Sequence, residues 1–594
     1  MNDSETPNAP NYSSSRRTFL ITTGLAGLVS CADDKHSTSN SNNTNNANNT
    51  NNTNNINNSN NTNTDGGVDA DGGQDVDGGN PIPRPTTTIT KTIIGVLEEA
   101  PLFEDLRPYF GLTEDGPGEP WLDRDDLNAL SFSDGSVAAQ CSLSYFSHMS
   151  DVHIIDEESP ARVIHSPIAS NSAWRPQEVF TSQLLDSAMR TINAFAEIRP
   201  QDFMVFSGDV TDNHLGTELA LFLKVLEGGI ANPDTGVDDD PRPGTLPDPH
   251  DPFQASGLSP SVPWYICMGN HDVWYIGSVN TPILAAPTGD SATLWLSDSV
   301  TPTCFNVPQC VGGYCYSDVP DRCHVPTSDD YFSNASVVAD SNRFYHDMQS
   351  FMQTIAASTT HGPPGHGFTA DNIDNEFSYW MAESPIPGIP VALISLDTTS
   401  ACTSTDRSLG ALDAAQMAWL EEQLVLLESQ NKLVIIISHH PANEVENMGA
   451  QLIALFHEYP NVVLHVVGHG HLNRVYPHPS PTPSEPWRGY WEVQVPSNID
   501  WPQQIRFYEI ANNGDGTGVI YATLVDYSIA PGHVAEGGRF YALLDVQEGR
   551  GASALRGEPT DRNVKLHFAL PPDLRTHLDA LPHRDVESLH FLPD

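Results

Sequence analysis

The chain has 594 residues, of which 76 are acidic and 27 are basic, so its formal net charge at pH 7 is −49. Its length allows one large domain with appendages or two to three smaller domains. The excess of negative charge argues against a surface that holds a nucleic-acid backbone, because phosphate groups are bound by positive charge. A site for an anionic substrate must therefore create its own positive potential, and bound divalent ions are the simplest means.

The first 31 residues have the pattern of a targeting signal rather than of a folded element. The sequence SRRTFL at residues 15–20 resembles the twin-arginine export signal of bacteria, and the apolar run Phe19–Val29 that follows is too short to span a membrane. The sequence LVSC at residues 28–31 resembles a lipoprotein processing site, at which Cys31 becomes lipidated. The alternative is an ordinary signal peptide with a free cysteine. We expect an exported lipoprotein, anchored to a membrane through Cys31 and located in the periplasm or at the cell surface.

Residues 32–90 are predicted to form a disordered tether. Residues 37–64 are an Asn/Ser/Thr tract with almost no side chain to bury. Residues 65–80 continue it with Gly-Gly and Asp repeats, which we interpret as an acidic spacer. The proline-rich residues 81–85 stiffen its end.

The composition becomes globular after the tether, and residues 91–540 are predicted to form the folded domain. Stretches rich in Pro, Gly and Asp near residues 231–261 and 282–328 are predicted to be insertions, and residues 541–594 a C-terminal extension. Four cysteines in or near the second insertion lack the Cys-x-x-Cys pairs of a zinc site: Cys304, Cys310, Cys315 and Cys323. In an oxidising compartment they favour two local disulfides, whose pairing the spacing leaves open.

Six apolar runs have the length and composition of strands buried on both faces: Leu143–Phe146, Phe203–Phe206, Trp264–Met268, Val391–Leu396, Leu433–Ile437 and Val462–Val467. Residues 176–196 and 413–427 have helical periodicity between them. This alternation predicts an α/β architecture. Further strands are predicted over residues 491–494, 501–510 and 519–527.

Residues of metal-ligand type follow five of the six runs: DVH at 151–153, GDVTD at 208–212, GNHD at 269–272, SHHP at 438–441 and GHGH at 468–471. Loops at the carboxyl ends of strands are where α/β sheets place their active sites. The ligand types are Asp, Asn and His without Cys. They suit two divalent ions such as manganese, iron or zinc rather than a structural thiolate site.

The ordered set D-x-H, G-D-x-x-D, G-N-H-D, H-H-P and G-H-x-H resembles the calcineurin-like metallophosphoesterase superfamily, and it extends over residues 151–471. The resemblance implies a two-sheet α/β/β/α sandwich, in which the strands after the last motif would form the second sheet. It also implies hydrolysis of phosphate monoesters or diesters by a hydroxide activated between two metal ions.

The resemblance assigns seven residues to the two ions by motif match: Asp151, His153 and His471 to one, Asn270, His439 and His469 to the other, and Asp209 as a bridge between them. His440 stays open as an alternative to His439. His271 would protonate the leaving alkoxide, and Asp272 would orient that imidazole. Asp212 is expected to bond the backbone of its own loop.

Two other functions stay open at this point. The chain could be a surface-anchored binding or structural protein that retains metal but has little turnover. His271 argues against this, because a metal site kept only for structure needs no proton donor. A nuclease of the same superfamily is the other alternative, and the net charge of −49 argues against it.

Overall fold

The computed structural model describes residues 86–95, 113–128, 140–156, 159, 175, 177–236, 247–278, 310–311, 314–315, 340–399, 408–530, 532–547 and 553–586. The export and lipidation signals, the tether up to residue 85 and the side chains of the four clustered cysteines lie outside this part of the chain. Within it, no helix is both long and apolar enough to cross a membrane.

The strands are, in chain order, β1 (Lys91–Gly95), β2 (Thr113–Pro117), β3 (Leu122–Arg124), β4 (Cys141–Met149), β5 (Phe203–Phe206), β6 (Gly229–Ala231), β7 (Phe253–Ala255), β8 (Trp264–Ile266), β9 (Cys310–Val311), β10 (Tyr314–Cys315), β11 (Trp380–Glu383), β12 (Val391–Ser395), β13 (Gly410–Ala411), β14 (Leu433–Ile437), β15 (Val445–Asn447), β16 (Val462–Val467), β17 (Arg474–His478), β18 (Tyr490–Gln494), β19 (Gln504–Asn512), β20 (Thr517–Asp526) and β21 (Val564–Ala569). The α-helices are α1 (Thr181–Ile198), α2 (Gly216–Glu227), α3 (Met348–Ala356), α4 (Ala370–Asn375), α5 (Ala414–Ser429), α6 (Gly449–Glu458), α7 (Ala535–Gln547) and α8 (Pro572–Leu578). All six apolar runs form strands, and both helical patterns form helices.

Two large sheets carry the fold. One has seven strands in the order β3-β21-β20-β19-β4-β5-β8, in which β4, β5 and β8 are parallel. The other has six strands in the order β11-β12-β14-β16-β18-β17, in which the four central strands are parallel. The carboxyl ends of parallel strands lie at one edge of each sheet, so the loops that follow them can converge there.

The alternation of side chains along β14 shows how the layers are stacked. Leu433, Ile435 and Ile437 belong to the large core cluster that also contains side chains of the seven-stranded sheet and of α1 and α2. Val434 and Ile436 point to the opposite face and pack with side chains of α5 and α6. Successive strand residues face opposite sides, so this strand is buried on both faces. The layers are therefore helix, sheet, sheet and helix, which confirms the predicted α/β/β/α sandwich.

The prediction that the strands after the last motif form the second sheet is wrong, because these strands are divided between the two sheets. β18 joins the six-stranded sheet beside β16, whereas β19 and β20 belong to the seven-stranded sheet. β19 pairs antiparallel with β4 along most of its length, from Arg506 opposite His148 to Asn512 opposite Cys141. The physical reason is that β4 needs hydrogen-bonding partners on the side away from β5, and β19 supplies them.

The folded region also extends beyond both predicted ends. The predicted boundary at residue 540 lies inside α7, and β21, further along the chain, pairs antiparallel with β20. At the other end Thr88 is buried, and its Oγ1 donates to the carbonyl oxygen of Leu524 at 2.9 Å. Part of the predicted tether and part of the predicted extension thus pack on the sheet.

Candidate metal centre

The loops that carry the predicted ligands come from both sheets. Asp151 and His153 follow β4, Asp209 follows β5 and Asn270 follows β8, all in the seven-stranded sheet. His439 follows β14, and His469 and His471 follow β16, in the six-stranded sheet. Backbone hydrogen bonds fix these loops to one another: the Asp151 amide donates to Gly208 at 3.0 Å and the Gly468 amide donates to His439 at 2.9 Å.

Five of the seven predicted ligands have a left-handed backbone conformation: Asp151 (φ 53°), His153 (φ 49°), Asp209 (φ 53°), His469 (φ 71°) and His471 (φ 56°). Residues other than glycine adopt this region rarely, and it persists only where the surroundings enforce it. The sharp turns after β4, β5 and β16 thereby direct these side chains into one space at the carboxyl ends of the strands.

The ligand-type atoms lie close together. Four separations are within 3.2 Å: Asp209 Oδ2 to His439 Nε2 (3.0 Å), Asp151 Oδ1 to His471 Nε2 (3.2 Å), His153 Nε2 to His471 Nε2 (3.1 Å) and Asn270 Oδ1 to His469 Nδ1 (3.1 Å). Asp209 Oδ2 also lies 3.9 Å from His153 Nε2, so its carboxylate faces both groups of ligands. Several sets of three such atoms, including Asp151–His153–His471 and Asp151–Asp209–His439, fall within 4.8 Å of one another.

The donor atoms fit divalent cations. Asp151 Oδ1 and His439 Nε2 are fully buried, and among the described residues they face only other candidate ligands, His471 Nε2 at 3.2 Å and Asp209 Oδ2 at 3.0 Å. A Cβ atom at Gly269 would lie 2.1 Å from Asp209 Oδ1, and one at Gly468 would lie 2.7 Å from Asp151 Oδ2, so only glycine leaves the carboxylates room. Buried carboxylates and imidazoles with unused lone pairs are the donor set that manganese, iron and zinc accept.

The imidazoles are oriented by partners on the side away from the cluster. Three bonds do this: His153 Nδ1 with Asp212 Oδ1 (2.9 Å), His439 Nδ1 with the carbonyl oxygen of Ser207 (2.8 Å), and His471 Nδ1 with Asp500 Oδ2 (2.6 Å). His469 Nε2 lies 3.7 Å from Glu444 Oε2. Metal-ligating histidines almost always have such a carboxylate or carbonyl partner.

Sequence reasoning missed most of these partners. Asp212 was expected to bond its own loop, but one of its carboxylate oxygens orients His153. Asp500 and Glu444 lie outside every motif, so no sequence signal marked them.

His439 and His440 have different surroundings. Both ring nitrogens of His440 are engaged, Nδ1 with Thr398 Oγ1 at 2.7 Å and Nε2 with the carbonyl oxygen of Ser408 at 3.1 Å. His439 uses only Nδ1 in this way and directs Nε2 to Asp209. The geometry therefore favours His439 as the ligand.

Asp272 was predicted to orient the imidazole of His271, but its carboxylate has other partners. Its carboxylate accepts the backbone N–H groups of Asp209, Val210, Thr211 and Gly269 at 2.8–3.0 Å, and the hydroxyl of Thr211 at 3.0 Å. The imidazole of His271 is held instead through Nδ1, which donates to the carbonyl oxygen of Asp212 at 2.7 Å. Asp272 is thus the anchor of the turn that carries Asp209.

The buried carboxylates of the cluster favour positive charge beside them, as the pKa values of the neighbouring histidines show. Burial lowers the pKa of His153 to about 4 and that of His469 to about 3. Burial also acts to lower the pKa of His439 and His471. The carboxylate of Asp209 outweighs it at His439, and those of Asp151 and Asp500 outweigh it at His471, so that both pKa values rise to about 9. Divalent ions would supply the same carboxylates with more positive charge than two imidazolium protons do.

Comparison with known proteins gives one family. A model of the calcineurin-like phosphoesterase domain matches residues 145–473, which include all seven predicted ligands. Among solved structures, a dimetal phosphatase from Danio rerio aligns with 65% of this chain and 100% of its own, at 12% sequence identity and a TM-score of 0.31. No curated protein is similar enough in sequence to match.

Proposed function

The chain belongs to the calcineurin-like phosphoesterase family, and from this premise we propose that it is a hydrolase of phosphate esters that depends on two divalent metal ions. The observation that carries the proposal is the set of buried donor atoms, within about hydrogen-bonding distance of one another, that two sheets direct into one space. Family membership supports a metal-dependent phosphoesterase. The dinuclear assignment, the ligand roles and the ester class are our proposal.

In this proposal each ion has ligands from both sheets. Asp151, His153 and His471 hold one ion, Asn270, His439 and His469 hold the other, and Asp209 contributes to both. Bound there, the ions would neutralise the charge of the phosphoryl oxygens and make a water molecule acidic enough to supply the nucleophile near neutral pH. Manganese, iron and zinc all suit the donor set.

His271 is the proposed proton donor to the leaving group. Its Nδ1–H is committed to the carbonyl oxygen of Asp212, which fixes the plane of the ring. The other nitrogen, Nε2, lies close to the side chain of the proposed ligand Asn270. Both atoms border Gly277: a Cβ atom added to this glycine would be 2.4 Å from His271 Nε2 and 2.4 Å from Asn270 Nδ2. As the bond between phosphorus and the leaving oxygen breaks, Nε2–H of the imidazolium would pass its proton to that oxygen.

The first test removes the shared carboxylate. We expect Asp209→Ala to lose both bound ions, measured by elemental analysis of dialysed protein, and hydrolysis of both mono- and diester substrates. The matched control is Asp202→Asn, which removes a buried carboxylate that pairs with Arg584 at 3.0 Å at the amino end of β5, away from the cluster. Full activity and metal content in Asp209→Ala would contradict the proposal. Wild-type protein that binds two ions but hydrolyses no ester would favour the binding-protein alternative.

The proposed location rests on the sequence pattern alone. We propose that the chain is exported and anchored to a membrane through a lipid on Cys31. Cys31→Ser should then move the protein from the membrane fraction to the soluble fraction and abolish incorporation of labelled palmitate. Unchanged membrane association of this variant would contradict the lipid anchor.

A further inference from the structure

A loop outside the matched family region contacts the proposed metal centre. Residues 497–500 lie beyond residue 473, where the match ends. Ser497 forms an isolated backbone β-bridge with Ser150, the residue that directly follows β4. The amide of Asn498 donates to the carbonyl oxygen of Asp151 at 3.1 Å. The loop is therefore fixed to the backbone of one proposed ligand.

The side chain of Asp500 reaches from this loop to a second ligand of the same ion. Its Oδ2 lies 2.6 Å from His471 Nδ1, which is the shortest contact between a carboxylate and a histidine around the cluster. A separation this short requires a proton between the two atoms, and the carboxylate is the acceptor. His471 thereby keeps its proton on Nδ1 and presents Nε2 to Asp151 Oδ1 at 3.2 Å and to His153 Nε2 at 3.1 Å.

The opposite oxygen of Asp500 is held as firmly. Oδ1 forms an ion pair with Arg175 Nε at 3.2 Å and accepts a hydrogen bond from Gln177 Nε2 at 2.9 Å. The Arg175 side chain is only 6% exposed, and its Nη2 lies 3.4 Å from His471 Nδ1. Guanidinium, carboxylate and imidazole are thus in mutual contact, and the positive charge of Arg175 lies beside the negative charge of the carboxylate.

We propose that Asp500, with Arg175 as its counter-ion, is a positioning residue that fixes the tautomer and orientation of His471 for the ion held by Asp151, His153 and His471. This inference rests on the proposed metal centre. It extends the proposed metal centre by two residues outside the ligand set, Asp500 and Arg175, which affect the binding of one of the two ions. The guanidinium of Arg175 contacts Nδ1 of His471 and not Nε2, the atom that would bind metal in this proposal.

The test measures metal affinity as well as activity, using manganese titrated into the metal-free full-length chain. Loss of an outer carboxylate partner typically weakens metal binding about 10- to 100-fold. Asp500→Asn should therefore weaken the binding of one of the two manganese ions by about that factor and leave the affinity for the other unchanged. Arg175→Gln keeps the contact between Asp500 and His471, so it should weaken the binding of the same ion by less than about 10-fold.

The control is Asp202→Asn, because Asp202 is also a buried carboxylate paired with an arginine, and it additionally accepts from the Tyr145 amide at 2.8 Å. It should lower the stability against urea without changing either manganese affinity. Wild-type affinities in Asp500→Asn, or an equal loss in Asp202→Asn, would overturn the inference. If Asp500→Asn does not fold, Arg175→Gln decides, and unchanged affinities in it overturn the inference.

The same titration separates this inference from the proposed function. Suppose that the wild type binds two ions, that Asp500→Asn binds one of them more weakly, and that neither protein hydrolyses any ester. This result would support the positioning role of Asp500 and contradict the proposed hydrolase function. A wild-type chain that binds none of manganese, iron and zinc would overturn both.

Discussion

Adjacent residues in the H-H-P motif have different chemistry because their ring nitrogens have different partners. His439 directs Nε2 to Asp209 at 3.0 Å, whereas Thr398 and Ser408 occupy both nitrogens of His440. The sequence left this pair undecided, since both imidazoles follow the same strand. The choice depends on the hydroxyl of Thr398 and the carbonyl of Ser408, which are 42 and 32 residues away along the chain, and such contacts leave no local signal.

His439→Ala should therefore lose one metal ion, and His440→Ala should retain both. The reason is that His439 directs Nε2 to the proposed ligand Asp209, whereas both ring nitrogens of His440 have hydrogen-bond partners outside the proposed ligand set. Elemental analysis after dialysis measures the number of bound ions, and circular dichroism verifies that both variants are folded. Loss of an ion from His440→Ala and not from His439→Ala would reverse the assignment.

His271 gives a second prediction at the level of one residue. His271→Asn should retain both ions but lower kcat by about 10²- to 10⁴-fold on esters with poor alkoxide leaving groups. The loss should be much smaller with p-nitrophenolate, because a stable leaving group needs no proton. A series of esters with different leaving-group pKa values measures this. Equal losses across the series would contradict the role of proton donor.

Among the elements, β14, β16 and β18 are joined by a buried chain of side chains behind the loop that carries His439. Glu492 Oε2 lies 3.0 Å from His465 Nδ1, and His465 Nε2 lies 2.8 Å from Ser438 Oγ. Glu492 also accepts the amide of Ala442 at 3.1 Å. Burial acts to raise the pKa of Glu492, but the bonds from His465 and His478 outweigh it and lower the pKa to about 2.

A carboxyl whose pKa is lowered on folding stabilises the protein at pH values above its unfolded pKa, and this contribution is lost as the pH falls towards the folded pKa. For Glu492 the window runs from about pH 4.5 down to about pH 2. Glu492→Gln should therefore lower the free energy of unfolding by about 3 kcal/mol at pH 7, and by progressively less below about pH 4.5. Urea unfolding at several pH values measures the difference.

The matched control for Glu492 is an exposed carboxylate. Glu383 is 57% exposed and lies 3.2 Å from Lys432, so Glu383→Gln should change the stability by less than about 1 kcal/mol at any pH. A difference between wild type and Glu492→Gln that stays constant from pH 7 to pH 3 would contradict the lowered pKa.

The same elements show what local sequence can predict. The bounds of β5, β14 and β16 agree with the predicted runs, because strands buried on both faces consist of continuous apolar residues. The partners of β19 and β20 were not predictable in this way, since pairing depends on which strand edge remains open in the folded chain. Asp272 was assigned to His271 from its position in a motif, but four amide groups from two loops compete for its carboxylate.

For the whole molecule, the proposed metal centre connects the two large sheets. Asp151, Asp209 and Asn270 belong to loops of the seven-stranded sheet, and His439 and His469 to loops of the six-stranded sheet. Ions bound there would hold the edges of both sheets together and offset the repulsion between buried carboxylates. The sequence predicted that the candidate ligands follow buried strands but not that these strands belong to different sheets, because motif order does not reveal the sheet to which a strand belongs.

Removing metal should therefore lower the melting temperature of the whole fold. Ligand that binds only the folded state stabilises it by about 4 kcal/mol at a concentration of about 1,000 times its Kd. The melting temperature should fall on treatment with chelator and return with manganese, and Asp209→Ala should show neither change. A melting temperature of the wild type that does not respond to chelator would contradict this bridging of the sheets.

The most direct test of the central claim is hydrolysis of bis(p-nitrophenyl) phosphate and p-nitrophenyl phosphate by purified protein, first stripped with chelator and then supplied with manganese. We expect hydrolysis of at least one of the two esters to disappear on stripping and to return with metal, and to be absent from Asp209→Ala throughout. Activity that persists without metal, or its absence from protein that carries two ions, would contradict the account.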